Sequence, residues 1–355
     1  MENKNNTSNT KLFEEFPPVS TQQWEDIIIK DLKGADYQKK LIWKTIEGFD
    51  VKPYYRAEDI KDLEHLNANP SEFPYTRGIK TDNNNWLIRA DYCTSDIQNT
   101  NSHVLGAIEK GLDSVGFRVN NINTAEEMSL LLIGIDLTKT EINFLGARSY
   151  AKIIELFIEE IKRQNIDSSK VRGSLNFDSL SFALMHGDFH GDRKENFDEA
   201  VKIIKLIKEN IPNFRAITIN AQCMNNSGAS NVQELGFALA IGNEYLSELT
   251  DRGLDIDTIA SQIRFCFGVG SDYFMEIGKL RAARTLWAKI VEAYNPKHLE
   301  SAYAFIHCIT TSFNKSIFDP YVNMLRSTTE SMSAAIGGCD SLTVNPFDST
   351  YKRSD

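Results

Sequence analysis

Eight short apolar runs alternate with amphipathic stretches from residue 86 onward, and this alternation constrains the fold more than any other feature. The runs predict strands at 86–91, 114–119, 141–146, 171–177, 214–220, 262–268, 304–311 and 341–347. Helical periodicity lies between them, for example at 149–164, 196–210, 229–250, 271–293 and 320–336. Such alternation is typical of a parallel sheet with right-handed crossovers. Eight units favour an α/β TIM (β/α)8 barrel over a doubly wound open sheet.

The N-terminal part of the chain does not follow this repeat. Residues 1–20 are polar and Asn-rich, which predicts a disordered tail. Residues 21–80 predict a helical N-terminal arm for subunit contact, with apolar residues at helical spacing after Thr21 and a stop at Gly34. A short strand pair is expected between Leu41 and Pro53.

The barrel is predicted to occupy residues 81–355, and its last helix has no counterpart in the sequence. Only DSTYKRSD follows Phe347, which is too short and too polar for an eighth barrel helix. We therefore expect a truncated barrel with the eighth helix missing. A further C-terminal domain is also expected to be absent from this chain.

Charge and cysteine usage exclude several functional classes. The 39 Lys and Arg residues face 49 Asp and Glu residues, a formal net charge of −10, which argues against nonspecific binding of nucleic acid or of an anionic membrane. No apolar run approaches the roughly 20 residues of a membrane helix, and the polar start MENKNNTSNT is no secretory signal. Five widely spaced cysteines without a CxxC pair disfavour disulfides and zinc ribbons and indicate a reducing cytoplasm.

Small polar residues recur two positions apart on four of the later strands. They are Ser174 and Asn176, Thr218 and Asn220, Thr310 and Ser312, and Thr343 and Asn345. Because strand residues alternate faces, their apolar neighbours would face the helices and the polar pairs would line the barrel interior. An interior of hydroxyls and amides would leave room for water or an elongated polar ligand, whereas ordinary barrels fill it with Val, Ile and Leu. The alternative is that each pair lies at a strand end and caps the following helix.

Two long stretches carry a family resemblance. Residues 319–344 read DPYVNMLRSTTESMSAAIGGCDSLTV, and residues 268–290 read GVGSDYFMEIGKLRAARTLWAKI. Upstream stand PYTRG at 74–78 and NNWLIRADY at 84–92. Together they resemble the N-terminal barrel region of the methylmalonyl-CoA mutase family, and more closely its small-subunit (beta) members. The resemblance runs from about Trp24 to the end of the chain.

This resemblance implies a function for the assembly and a role for the chain. Active large chains isomerise methylmalonyl-CoA and succinyl-CoA through radicals that adenosylcobalamin supplies. The acyl-CoA ester threads a barrel lined by small polar side chains. Cobalamin lies between that barrel and a C-terminal domain, which provides a histidine ligand from a DxHxxG motif. Small chains are expected to pair with the large subunit as heterodimers without catalysing, and adenosylcobalamin would not be ligated by this chain.

The residues that active chains use are replaced here. Gln222 and Cys223, in AQCMNNSGA after the fifth strand, stand where active chains carry the tyrosine and histidine beside the thioester. A thiol is a weak hydrogen-bond donor and cannot replace an imidazole at a developing oxyanion. Asp198 aligns with the arginine that would hold the substrate carboxylate. We therefore predict no catalytic residues in this chain.

The segment HGDFHGD at 186–192 approaches a cobalt-ligating motif without completing it. Asp188 and His190 have the DxH spacing, but Arg193 occupies the glycine position and the segment follows the fourth strand. His186 and His190, with Asp188 and Asp192, could also hold a divalent metal, although clustered His and Asp residues in a loop more often form a solvated turn. No metal site is predicted.

Arg89 and Arg118 lie near the ends of early strands and are the basic candidates for contact with an anionic ligand or the partner chain. Two functions remain open for the chain. It is either a non-catalytic supporting subunit of a cobalamin-dependent mutase or, alternatively, an acyl-CoA-binding barrel without turnover.

Overall fold

The structure, a computed structural model, describes Phe13 and residues 15–352, so most of the predicted 1–20 tail lies outside the described residues. The chain divides into two compact units, one up to Leu63 and one from Glu64 onward. Residues 64–80, which the sequence assigned to the arm, therefore belong to the same unit as the barrel.

The N-terminal unit has little core of its own. Its elements are α1 (Thr21–Asp31), α2 (Tyr37–Leu41), β1 (Trp43–Lys44), β2 (Asp50–Val51) and α3 (Ala57–Ile60). Helix α1 begins with a capping box between Ser20 and Gln23. Among the described residues of this unit, Thr45 alone is buried. Burial of apolar surface within the unit therefore contributes little to its stability.

The second unit contains a closed barrel of eight parallel strands, which confirms the predicted fold class. The strands are β3 (Leu87–Cys93), β4 (Ser114–Arg118), β5 (Glu141–Leu145), β6 (Gly173–Phe177), β7 (Phe214–Ile219), β8 (Ile263–Val269), β9 (Phe305–Thr310) and β10 (Ser341–Thr343). They pair in chain order, and β10 closes the barrel on β3 through Ser341 opposite Leu87. Each overlaps a predicted strand, and the last is shorter than its predicted 341–347.

Helices surround this barrel. They are α4 (Ile97–Glu109), α5 (Ala125–Leu132), α6 (Tyr150–Arg163), α7 (Ser179–His186), α8 (Arg193–Asn210), α9 (Gln222–Asn226), α10 (Asn231–Asp251), α11 (Ile256–Gln262), α12 (Tyr273–Glu292) and α13 (Val322–Gly337). The five long helices that the periodicity predicts are α6, α8, α10, α12 and α13. None of the helices in the described part of the chain is long and apolar enough to span a membrane.

The apolar core lies between the strands and these helices. Trp287 of α12 is fully buried, and its ring meets that of Phe265 on β8 edge-on at 5.0 Å. Gly242 of α10 lets the two helices approach, because a Cβ there would lie 2.7 Å from the Trp287 ring. Ile219 of β7 contacts the same place, so its side chain faces the helices as predicted.

One sector of the barrel has no helix over it in the described residues. No helix follows β10 up to Lys352, and Ile88 on the neighbouring strand β3 is 53% exposed. A groove of about 550 Å³ lies there, with Trp86, Met324 and Val344 in its lining.

Candidate functional site

A polar network crosses the barrel interior at the level of Arg264. Nη1 of Arg264 on β8 donates to Asn143 Oδ1 on β5 and to Ser174 Oγ on β6, both at 2.8 Å. Ser174 Oγ also donates to Asn143 Oδ1 at 2.7 Å. Strands β5 and β8 are three positions apart in the barrel, so these contacts span the interior. Glu141 Oε1 lies 3.7 Å from Nη1 of Arg264 and adds a buried carboxylate.

The environment of Arg264 is unusually dry for a guanidinium. The residue is 1% exposed, and burial, with the nearby charge of Arg89, lowers its pKa to about 10. The group still carries its charge at neutral pH, because its pKa stays well above 7. A buried charge must be compensated, which Glu141 and the two polar acceptors do in part.

A second ion pair occupies the β3 side of the interior. Arg89 Nε donates to Asp91 Oδ1 at 2.7 Å, and both side chains are largely buried. Gly116 on β4 makes room for this carboxylate, because a Cβ there would lie 2.0 Å from Asp91 Oδ1. Arg89, predicted as a ligand contact, is thus held by a neighbouring carboxylate of its own strand.

Bulky side chains close the interior further. The guanidinium of Arg215 on β7 stacks over the Phe305 ring on β9 at 4.3 Å, and that of Arg264 lies 5.5 Å from the same ring. His307 on β9 is buried, and its Nδ1 lies 2.7 Å from Ser341 Oγ on β10. Burial, with the charges of Arg89 and Arg264, lowers the pKa of His307 well below its ordinary value, so the ring is neutral at pH 7.

The structure places the predicted polar pairs of β6 and β7 in different surroundings. Ser174 belongs to the Arg264 network, whereas Asn176 is half-buried near the strand end. Thr218 is buried, and its hydroxyl donates to the backbone oxygen of Leu175 at 2.7 Å. Asn220 is half-buried, and its Nδ2 donates to the Thr218 carbonyl at 3.1 Å.

The pairs of β9 and β10 are separated by the strand ends. On β9, Thr310 lies on the face of Ile306 and Cys308, opposite to that of His307, because strand residues alternate. Its Oγ1 accepts the backbone N–H of Asn345 at 2.9 Å. Ser312 lies beyond β9, exposed, and its hydroxyl donates to Asn226 Oδ1. Thr343 is buried on β10, while Asn345 reaches the outer groove beside Trp86.

The loop after β7 forms the short helix α9. This helix carries Gln222 and Cys223, the two residues that the resemblance aligns with the tyrosine and histidine of active chains. Cys223 Sγ donates to the backbone oxygen of Asn220 at 2.9 Å, and burial, with the nearby Asp178, raises its pKa to about 11. The group is therefore a thiol at neutral pH and is engaged as a donor. Gln222 is half-buried, and its Oε1 accepts from Asn226 Nδ2 at 3.3 Å. Neither side chain forms an acid–base pair here.

Two further predicted positions lie away from the interior. Asp198 is on the outer helix α8 and pairs with Arg252 of α10 at 3.2 Å. Its side chain is about half-exposed there, and its replacement of a carboxylate-binding arginine stays a prediction. Arg118 is exposed at the end of β4.

The HGDFHGD segment follows α7 and is largely exposed. The rings of His186 and His190 both contact Phe182, at centroid distances of 4.1 and 5.7 Å. Asp188 Oδ1 accepts the backbone N–H of Phe189. Within the described chain, no group of three or more His, Cys, Asp or Glu residues could hold a metal ion.

A polar pocket of about 380 Å³ lies on another part of this unit. Arg77, Lys80 and Arg281 contribute cationic groups to it, and Asp82 contributes one carboxylate. Gly338, which ends α13 in a left-handed conformation, forms part of its wall. PYTRG contains Arg77 and KLRAAR contains Arg281, but neither was among the residues predicted to contact a ligand.

The charged interior was also missed, yet the strand sequences signal it. LIRADYC, EINFL and IRFCFGV each place polar or charged residues two apart, at Arg89 and Asp91, at Glu141 and Asn143, and at Arg264 and Cys266. Alternation alone puts each pair on one face of its strand. Which of these residues contact one another across the barrel, such as Arg264 and Asn143, could not be predicted without the strand register.

Comparisons with known proteins agree on one family. A family model described as methylmalonyl-CoA mutase matches residues 44–120 and 112–355. The methylmalonyl-CoA mutase small subunit of Porphyromonas gingivalis is 43% identical over 349 residues, which cover 97% of this chain and 56% of that protein. The small subunit of Streptomyces virginiae is 31% identical, covering 94% of this chain and 54% of its own length.

A relative whose name carries no subunit designation is about as similar to this chain as the Streptomyces small subunit is. The methylmalonyl-CoA mutase of Escherichia coli is 30% identical over 356 residues, covering 93% of this chain and 50% of that protein. The chain thus spans about half the length of the curated relatives it matches.

Proposed function

The chain belongs to the methylmalonyl-CoA mutase family, and from that premise we propose that it is a non-catalytic supporting subunit that pairs with a large mutase subunit. The observation that carries this proposal is the loop after β7. There Cys223 is a protonated, half-buried thiol that donates to Asn220 O, where an acid–base residue would be needed beside a thioester.

The filled barrel interior supports the same role. An acyl-CoA ester that passed through the barrel would have to displace the Arg264, Asn143 and Ser174 network and the Arg215–Phe305 stack. Breaking one partner away from a buried ion pair costs about 3–5 kcal/mol, and several such contacts lie across the path. Binding energy from a small thioester would be spent on this displacement rather than on the transition state.

The proposal places adenosylcobalamin elsewhere in the assembly. A cobalt-ligating histidine is normally oriented by a carboxylate that accepts its second ring N–H. In the DxH segment, Asp188 Oδ1 instead accepts the N–H of Phe189, and His190 packs its ring on Phe182. The described residues of this segment do not fit the cofactor, so no step of its chemistry is assigned to them.

The N-terminal unit supports the subunit contact. On α1, Trp24 is 47% exposed and Ile27 is 60% exposed, and α1 buries none of its residues. The β1–β2 hairpin exposes Ile46 as well, at 84%. Large exposed apolar side chains, two of them one turn apart on α1, favour a protein interaction site. Its occupant in the proposal is the large subunit, in line with the small-subunit names of the Porphyromonas and Streptomyces relatives.

Size-exclusion chromatography of this chain with the large mutase subunit of the same organism tests the pairing. We expect co-elution, and loss of co-elution with Trp24→Ala, because the stacked Trp24–Tyr54 pair at 5.1 Å would lose its larger ring. Gln22→Ala, on the exposed face of the same helix, is the matched control and should co-elute. Separate elution of the unaltered chains would reject the pairing, and co-elution of Trp24→Ala would reject the role of α1.

Binding of an acyl-CoA ester without turnover is the second candidate, favoured by the pocket around Arg77, Lys80 and Arg281. Three cationic side chains there could hold the phosphates of a CoA ester. Calorimetric titration with CoA and with a CoA ester should then show binding that Arg281→Met weakens and Arg148→Met does not. Absence of heat with both compounds would reject this candidate.

A further inference from the structure

Three polar side chains in the barrel interior have atoms without partners, and these atoms lie in a dry environment. Nε and Nη2 of Arg264, Nε2 of His307 and Oγ1 of Thr343 have no hydrogen-bond partner among the described residues. Arg264 and His307 are each 1% exposed. Buried polar atoms are rarely left unsatisfied, and each such case calls for an explanation.

We propose that a small monovalent anion, a halide or a short carboxylate, binds inside the barrel against the unpartnered Nε–Nη2 edge of Arg264. The two nitrogens are neighbours on one edge of the guanidinium, and this fork matches a carboxylate bidentately or a halide between its two protons. Nη1 on the other edge is fully engaged with Asn143 and Ser174, so the guanidinium is fixed in orientation.

The side chains around this edge carry an excess of positive charge, which a bound anion would neutralise. Arg89, Arg215 and Arg264 face the interior, against the carboxylates of Asp91 and Glu141. Asp91 Oδ1 pairs with Arg89 Nε at 2.7 Å. Glu141 Oε1 lies 3.7 Å from Nη1 of Arg264, the nitrogen that already donates to Asn143 and Ser174. One positive charge therefore remains, and leaving it uncompensated in a dry interior is costly.

The neighbouring buried carboxylates do not supply the missing charge. Glu234 and Glu276 both contact Lys279, at 2.5 and 2.7 Å. Glu234 also accepts the backbone N–H of Gly268, and Glu276 that of Gly270. These contacts hold both carboxylates at the α10–α12 side of β8, in a cluster of their own.

His307 provides the second wall of the proposed site. Its position opposite Cys266 on β8 puts it one residue pair beyond Arg264, on the same inner face. The Ser341 hydroxyl is placed to donate to Nδ1, and in that tautomer the neutral ring carries its proton on Nε2 and offers that N–H to the anion. The site differs from the pocket around Arg77 and Arg281, which opens on the surface.

Halide and formate titrations test the proposal. The full chain is refolded in a HEPES buffer free of halide and short carboxylates, and its Tm is followed as sodium bromide or sodium formate is added at constant ionic strength. We expect a saturable rise, as for any ligand that binds only the folded state. A crystal grown with bromide should show an anomalous peak within hydrogen-bond distance of Arg264 Nε and Nη2.

Variants separate the interior site from general salt effects. Arg264→Lys keeps the positive charge but removes the fork, so the bromide affinity should fall about tenfold or more. Arg264→Met removes the charge as well and should abolish the saturable rise. Arg148→Met, at an exposed arginine outside both sites, should titrate like the unaltered chain. Equal shifts in all variants, or ordered water in place of bromide at Arg264, would overturn the proposal.

Discussion

A methyl group added at Gly116 would strike the buried Arg89–Asp91 pair. The ideal Cβ of Gly116→Ala would lie 2.0 Å from Asp91 Oδ1, 2.7 Å from its Cγ and 2.9 Å from Leu145 Cδ1. Gly116 pairs directly with Asp91 across β3 and β4, so the strand register prevents an easy shift. The carboxylate must move off Arg89, or the two strands must separate.

The size of the effect follows from these two alternatives. Forcing an extra carbon into a packed interior costs about 1–3 kcal/mol. Displacing Asp91 so that buried Arg89 loses its partner costs about 3–5 kcal/mol. Because the strain is relieved by whichever route is cheaper, we expect Gly116→Ala to lower the free energy of unfolding by about 1–3 kcal/mol.

Gly278→Ala is the matched control for this substitution. Gly278 lies in helix α12, and nothing stands within 4 Å of its ideal Cβ. Alanine there should raise the free energy of unfolding by about 0.5–1 kcal/mol through helix propensity. Urea unfolding followed by far-UV circular dichroism, and by the fluorescence of buried Trp287, measures both variants. If Gly116→Ala were as stable as the unaltered chain, the described packing of Asp91 against β4 would be refuted.

Two further predictions concern ionisation. Asp340 accepts from Arg284 at 3.0 Å and from Ile306 N–H at 2.8 Å; burial raises its pKa, but Arg284 and Lys80 outweigh burial and leave the pKa below its ordinary value. Asp340→Asn should therefore lower the free energy of unfolding by about 3–5 kcal/mol at pH 7. The difference should begin to shrink as the pH falls below about 4, where the unfolded chain takes up the proton, and should go on shrinking as the pH falls through the lower pKa of the folded carboxyl. A difference that stays constant from pH 7 to the lowest pH at which the chain is folded would contradict this pairing. Alkylation of Cys223 by iodoacetamide, followed by peptide mass spectrometry, should be slow at pH 8 and accelerate toward its pKa of about 11; rapid labelling at pH 7 would show a thiolate that the described burial does not allow.

The fold could be predicted because each strand and helix carries its own local signal. IRFCFGV and EINFL are strand-length runs in which apolar residues alternate with other side chains, and the 14-residue helix α6 has a clear apolar stripe. The final strand was predicted four residues too long, since Val344 continues the apolar pattern although it faces the open groove. The short helices α5, α7 and α9 were not predicted, because segments of five to eight residues carry little periodicity.

The site was harder to predict because it depends on which strands face one another. Ser174 was predicted to line the interior with other small polar residues, but its partner Arg264 lies 90 residues away and was not part of that pattern. Thr310 lies on the face of β9 opposite His307, because strand residues alternate, and the small-polar pattern did not take His307 into account. The aligned position of Asp198 on α8 does not tell which way its side chain points, and in the structure it pairs with Arg252.

Turnover by the isolated chain tests the central claim most directly. The chain would be incubated with adenosylcobalamin and methylmalonyl-CoA, and succinyl-CoA would be measured by chromatography beside the large subunit alone and the mixture. The account predicts no succinyl-CoA above the enzyme-free control from this chain and activity only where the large subunit is present. Succinyl-CoA formation by this chain alone, lost in Cys223→Ala, would contradict it.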